Sequence, residues 1–363
     1  MKNIVSDEKI NNFRDLINSN SDFVYNTYSN KNGKNLWNLI CSCMDWLTVS
    51  IRHLQNAPEF DENIDVRVMQ MFSLISSIDL VSESVTQLHR VFVNPDTQPF
   101  KGDKRCFSDR IFDEDDNSYF KSIRASFGAH PVNLNPKQTS SKRFASWPFN
   151  SHMNSGLLTV HLYSNKVNEE DLIMCLRSNE LIEFLTLRYN YLDMISEKIK
   201  AEFNDFTDCL AKQQIETKSD SLEQLYVLRA ESKKRLDNDY YNGVIDELIM
   251  IFESEELHPE HETLVTDYKR SLDILILEIK NNLQTMKIED LKNTILLNPS
   301  SDISRELHYE LGKFYTWIHA DKYDPLITYY LERFNQKTAF KFDFNINDSI
   351  NLLFLKVKLM IND

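Results

Sequence analysis

Between residues 62 and 90 the apolar side chains Val68, Met71, Ile75, Ile78, Val85 and Leu88 recur three, four and seven positions apart. That spacing places them on one face of a helix, which must be buried against a neighbour. Residues 35–55 (NLWNLICSCMDWLTVSIRHLQ) carry the same periodicity, and Pro58 sits in the short connection between the two segments. The pair predicts an antiparallel helical hairpin. Only 6 Gly and 9 Pro occur in 363 residues, fewer than a sheet-rich fold with many tight turns needs. The fold class expected is therefore all-α.

Further helices are predicted at about 116–127, 219–238, 240–256, 260–285, 301–320, 324–335 and 346–361. A long helical pattern also runs to about residue 213, with Asn168 and Asp171 reading as its cap. Residues 91–115, with Pro95, Pro99 and Gly102, read as loop. Asp113 to Asp116 suit a helix start, and Gly128 and Pro131 mark the end of that helix. Residues 142–149 (KRFASWPF) and 156–164 (GLLTVHLYS) are the clearest strand candidates, with Leu158, Val160 and Leu162 alternating with Thr159, His161 and Tyr163 in the second, which gives one β-hairpin at about 142–164 inserted in the bundle. The polar run TKSDS (217–221) suggests two domains: a helical bundle with the hairpin over 1–216, and a helical C-terminal half over 217–363.

Charge narrows the choice of function. The formal net charge is −14, which argues against general nucleic-acid affinity and leaves room only for a local basic site. Residues 117–168 contain no Asp or Glu, where the chain's average frequency gives about 8. They do contain Lys121, Arg124, Lys137, Lys142, Arg143 and Lys166, and also His130, His152 and His161. An anion site would exclude carboxylates in this way. A segment facing an acidic patch elsewhere in the fold would have the same composition.

Within that segment, Phe120, Ile123 and Phe127 form an apolar helix face, with Arg124 about 40° from Phe120 at its border. An Arg there needs a partner. Phosphate suits the guanidinium fork; Asp79 and Glu83 on the preceding helix are candidate charge partners within the protein. His130 follows beyond the helix break. Lys121, together with Lys142, Arg143 and Trp147 of the hairpin, are candidates for RNA backbone contact and base stacking. The bland reading of the hairpin trio is a solvated hairpin with one anchoring Trp.

The stretch RASFGAH, Arg124 to His130, resembles the Arg-x(4–6)-His signature of the HEPN superfamily. The resemblance covers roughly residues 35–215. It implies a helical bundle that dimerises with two motif copies facing each other. Many such proteins are metal-independent endoribonucleases of toxin–antitoxin, antiviral and abortive-infection systems. It implies Arg124 as phosphate stabiliser and His130 as acid/base, RNA as substrate and an antitoxin or other protein as partner. HEPN nucleases often carry a polar residue directly after the Arg, and this chain has Ala125. The rival readings are a non-catalytic helical interaction protein and a ligand-sensing domain using the same basic pocket.

No cofactor or metal is expected: there is no phosphate-cradling Gly loop and no dinucleotide fingerprint. The five Cys show no zinc spacing. His258 and His261 (HPEH) read as a surface helix start, and Lys233–Lys234–Arg235 as a solvated face. The scattered odd thiols and the lack of an apolar leader or spanning run point to a cytoplasmic protein with no membrane partner.

Overall fold

The computed structural model describes residues 5–129, 131–134, 141–147, 157–255, 257–320 and 324–362. These divide into two compact units, Met1–Phe203 and Asn204–Asp363. The fold is mostly helical with one small antiparallel sheet.

In the first unit, α1 (Glu8–Ser19) and α2 (Ser21–Tyr28) precede the hairpin of α3 (Leu36–Gln55) and α4 (Ile64–Phe92). Asn35 caps α3 and Asn63 caps α4, each side chain accepting from amides of the first turn. The stripe Val68, Met71, Ile75, Ile78, Val85 and Leu88 is buried throughout. Helix α1 is polar on average, which hides it in the sequence, yet Ile10, Phe13 and Ile17 are buried at helical spacing. Next come α5 (Asp116–Arg124), β1 (Arg143–Ser146), β2 (Leu157–Ser164), β3 (Leu172–Arg177), α6 (Ser178–Asn190) and α7 (Leu192–Ala211). Phe120 of α5 stacks on Phe184 of α6 with ring centroids 4.4 Å apart.

The hairpin is joined by a third strand, giving the order β1-β2-β3. Leu158 pairs with Leu176 and Val160 with Met174, and all four are buried, as is Leu162. This corrects the expected helix cap at Asn168: that residue takes a left-handed φ of 64° in the β2–β3 turn, and the helix begins only at Ser178. LIMCLR is apolar in a short run, and such runs suit a helix or a buried strand equally. Pairing with β2 decides the matter.

In the second unit, α8 (Ser221–Arg235), α9 (Asp239–Phe252), α10 (Glu262–Thr285), α11 (Asp302–Glu306), α12 (His308–Ala320), α13 (Ile327–Lys337) and α14 (Ile350–Asn362) surround one core. The unit begins inside α7, upstream of TKSDS, because the end of that helix is tied to α8 and α10. Arg235 donates to the carbonyls of Leu210 and Gln213, each at 2.9 Å, and Gln284 donates to that of Ala211 at 2.7 Å. Arg235 is therefore buried, unlike the exposed Lys233 and Lys234, which corrects the reading of all three as a solvated face. His261 is likewise buried, against the ring of Phe342. The aromatic segments around Phe314, Tyr330 and Phe334 form core.

Lys358 of α14 lies fully buried in this unit. Its Nζ is 3.1 Å from Glu247 Oε2 and donates to Asn298 Oδ1 at 2.6 Å. The rings of Phe354 and Tyr315 lie 4.7 and 5.0 Å from it. Burial pushes its pKa down against the pull of Glu247.

Candidate functional site

The helix that carries Arg124 is fastened at its start. Asp115 is the N-cap of α5: its carboxylate accepts from the Ser118 amide at 2.9 Å and the Gly102 amide at 3.0 Å. Gly102 has a φ of 80°, a turn conformation that suits glycine. Burial pushes the Asp115 carboxyl up, but the Gly102 and Ser118 amides, the Ser118 hydroxyl and the charge of Arg188 together hold its pKa below the ordinary value. Asp116 is fully buried, ion-paired to Arg110, and accepts from the Cys106 amide. Asn117 donates to the Pro99 carbonyl at 2.9 Å and accepts from Arg188 at 2.8 Å. Replacing Asp115 with Ala is expected to cost about 1–2 kcal/mol, measured as a lower urea midpoint. It should also loosen amide protection at the start of α5.

Helix α5 does not stop at Gly128. It widens after Arg124 into a π-helical turn, Ala125–Ala129, a feature often found at functional sites. Gly128 does not take a left-handed φ there; the ring of Phe72 on α4 faces the space where its Cβ would stand. Phe120, Ile123 and Phe127 are buried, as the helix wheel requires.

The Arg124 guanidinium lies at the α4–α5 surface and is half exposed (50%). Its Nε is 2.9 Å from Asp79 Oδ2, whose side chain is one quarter exposed. Burial pushes the Asp79 pKa up and Glu83 adds to that effect, while Arg124 and Lys121 oppose it. The carboxylate is thus held by its partner less strongly than it is penalised by its surroundings. Lys121 is exposed on the same helix. His130, the other half of the motif, lies outside the described residues.

Residues 131–134 run back beside the sheet. Leu134 and Arg143 exchange both backbone hydrogen bonds, and the Ala145 amide donates to the Pro131 carbonyl at 2.7 Å. Trp147 packs on Phe127 of the π turn, ring centroids 6.2 Å apart. The motif segment, the π turn and β1 are therefore one contiguous region, with Lys142 exposed at its edge.

One member of the expected RNA-binding set has other work. Arg143 is buried, donating to the carbonyls of Glu170 (2.7 Å) and Leu162 (3.3 Å) and lying 3.3 Å from Glu169 Oε1. It fastens the β2–β3 turn to β1 and cannot reach a ligand without leaving the core. Trp147 packs against Phe127 and stays partly exposed. The acid-free segment also meets carboxylates from outside itself: Asp79 on Arg124 and Glu169 on Arg143. Its composition thus partly reflects acids contributed by α4 and by the β2–β3 turn.

The sequence reading missed the buried Arg188, whose guanidinium lies 3.4 Å from the Phe184 ring centroid and 4.7 Å from that of Phe100. A signal was present: Leu181, Phe184, Leu185 and Arg188 share one helical face. Among the described residues, no cluster of His, Cys, Asp and Glu is placed to hold a metal ion, and no helix is long and apolar enough to cross a membrane. Compared with protein-family models, curated proteins and solved structures, the chain matches none, so the HEPN resemblance stands on its own residues alone.

Proposed function

We propose that this chain binds RNA at the α4–α5 face, with Arg124 as the phosphate ligand and Lys121 and Lys142 as supporting cations. His130 serves as acid/base in metal-independent strand cleavage. The observation that carries this reading is the half-exposed Arg124 guanidinium, placed where the helix widens into the π turn. A partly exposed ion pair is worth roughly 0–1 kcal/mol, so a polyanion competes with Asp79 on nearly equal terms. In the chemistry proposed, an RNA 2′-oxygen loses its proton to an imidazole and bonds to the adjacent phosphorus. The bond from phosphorus to the 5′-oxygen breaks, and that oxygen receives a proton. The guanidinium offsets the charge that builds on the phosphoryl oxygens. Two copies of the chain, as the HEPN resemblance implies, would supply one imidazole for each transfer.

Binding of a labelled single-stranded RNA, followed by fluorescence anisotropy, tests the site. Asp79→Asn removes the competing carboxylate and is expected to tighten binding by up to about fivefold, the equivalent of roughly 1 kcal/mol. Arg124→Ala is expected to weaken binding and to reduce the salt slope by about 0.7. Acidification gives an independent readout. The folded pKa of Asp79 is raised, so its contribution to stability is present below the ordinary carboxylate value and fades as pH rises through the raised one. Protonation at low pH therefore frees Arg124 without unfolding the site. Wild-type affinity should rise as pH falls toward that value, and Asp79→Asn should lose this response. Unchanged affinity and salt slope in both variants would falsify the assignment.

A second reading rests on the 2.9 Å contact itself: Arg124 and Asp79 clamp α5 to α4 in a non-catalytic interaction protein. Under it, Arg124→Ala lowers the melting temperature and leaves RNA affinity untouched.

A further inference from the structure

Where the end of α3 meets the first turns of α4, a groove of about 550 Å³ opens on the surface. Its walls are Leu54, Ala57, Pro58, Val66, Met69 and Leu74. Met69 is 62% exposed and Val66 44%, while Val68, Met71 and Leu74 on the same turns are buried. Trp46 and Val49, both more than half exposed, extend the apolar stripe along α3 toward His53.

The polar side chains at the groove are already occupied with one another. His53 Nε2 lies 2.8 Å from Ser73 Oγ. Gln70 accepts from the Asp61 amide at 2.8 Å and donates to the Glu59 carbonyl at 3.0 Å. A small polar ligand would find few free groups to orient it. The rim is a different matter. Glu59, Asp61, Glu62 and Asp65 all face solvent around the α3–α4 connection. Arg67, buried with its Nε on the Asp61 carbonyl, offsets one of these four charges, and Arg52 lies 3.5 Å from Asp7, so the rim stays net acidic. An apolar floor within an acidic rim repels phosphate and anionic lipid surfaces and attracts a cationic partner.

We propose that this groove receives a short amphipathic helix of a partner protein, apolar on the inserted face and rich in Lys or Arg on the flanks. The stretch of α4 from Val66 to Leu74 is about 12 Å long, which matches three anchors at i, i+4 and i+7 of an incoming helix. The proposal is independent of the RNA site, since none of the groove residues belongs to it.

The test uses the full-length protein and three labelled helical peptides with identical Leu anchors and with Lys, Gln or Glu at the flanking positions. The Lys peptide is expected to bind at least tenfold more tightly than the Glu peptide, with an affinity that falls as salt rises. Met69→Lys should abolish that binding; the residue is exposed, so the fold should survive, as circular dichroism will verify. A double variant, Glu62→Lys with Asp65→Lys, should reverse the preference toward the Glu peptide. Equal binding of the three peptides, or none of the Lys peptide, overturns the proposal. So does self-association of the wild type that Met69→Lys abolishes, because a second copy then fills the groove.

Discussion

Glu247→Ala is expected to destabilise the 204–363 unit by about 3–5 kcal/mol, whereas Lys358→Met is expected to change it by about 1 kcal/mol or less. The asymmetry follows from which charge is left behind. Lys358 is fully buried and Glu247 partly exposed. Without the carboxylate, an ammonium remains in the core with Asn298 and two ring faces against it. Without the ammonium, Glu247 turns to solvent and to His319, whose Nε2 is 3.7 Å away. Methionine fills much of the lysine's volume and contacts Phe354 and Tyr315 through its sulfur. Hydrogen exchange of peptides from α9 and α14 measures both variants without requiring the whole chain to unfold in one step. Similar losses in the two would mean that the lysine contributes by packing and not by pairing.

Under the proposed RNA chemistry, Arg124→Ala and His130→Ala are each expected to lower RNA cleavage by at least about 100-fold. Arg124→Lys separates fork geometry from charge. Lysine retains the positive charge but cannot place two parallel donors on a phosphate, so binding should persist while cleavage falls. Asp79→Asn again serves as the counter-variant, because it should raise affinity while leaving the proposed acid/base residue unchanged. If wild type and both alanine variants cleave equally, any activity belongs elsewhere on the chain. If Arg124→Ala melts early and all three are inactive, the clamp reading holds.

The helical architecture was legible because its core faces repeat with the helical period; the α3–α4 stripe is the clearest example. The start of α5 was legible from the acids preceding it, with Asp115 as the cap. Strand β3 was not, since LIMCLR carries no period that separates helix from strand, and only its pairing with β2 settles the matter. Asp79 was nameable as a partner of Arg124 because one helix wheel and a few candidate acids sufficed. The burial of Arg143 was not nameable. It depends on the β2–β3 turn bringing Glu169 and the Glu170 carbonyl back across β1, a long-range event with no local signature. The same holds for Arg235, whose partners are the carbonyls at the end of α7.

The connection between α4 and α5 is loop by conformation yet is bound along much of its length. Thr97 meets His89 and the Pro99 carbonyl holds Asn117; Asp103 accepts the Asp116 amide and Ser108 donates to Glu180. The amides it ties to side chains, Gly102 to Asp115, Cys106 to Asp116 and Ser108 to Glu180, should consequently exchange more slowly than a surface loop's. Unfolding the stretch as a whole means releasing Asp116 from Arg110 and Asn117 from Arg188 in the same event, so it should open together with the start of α5.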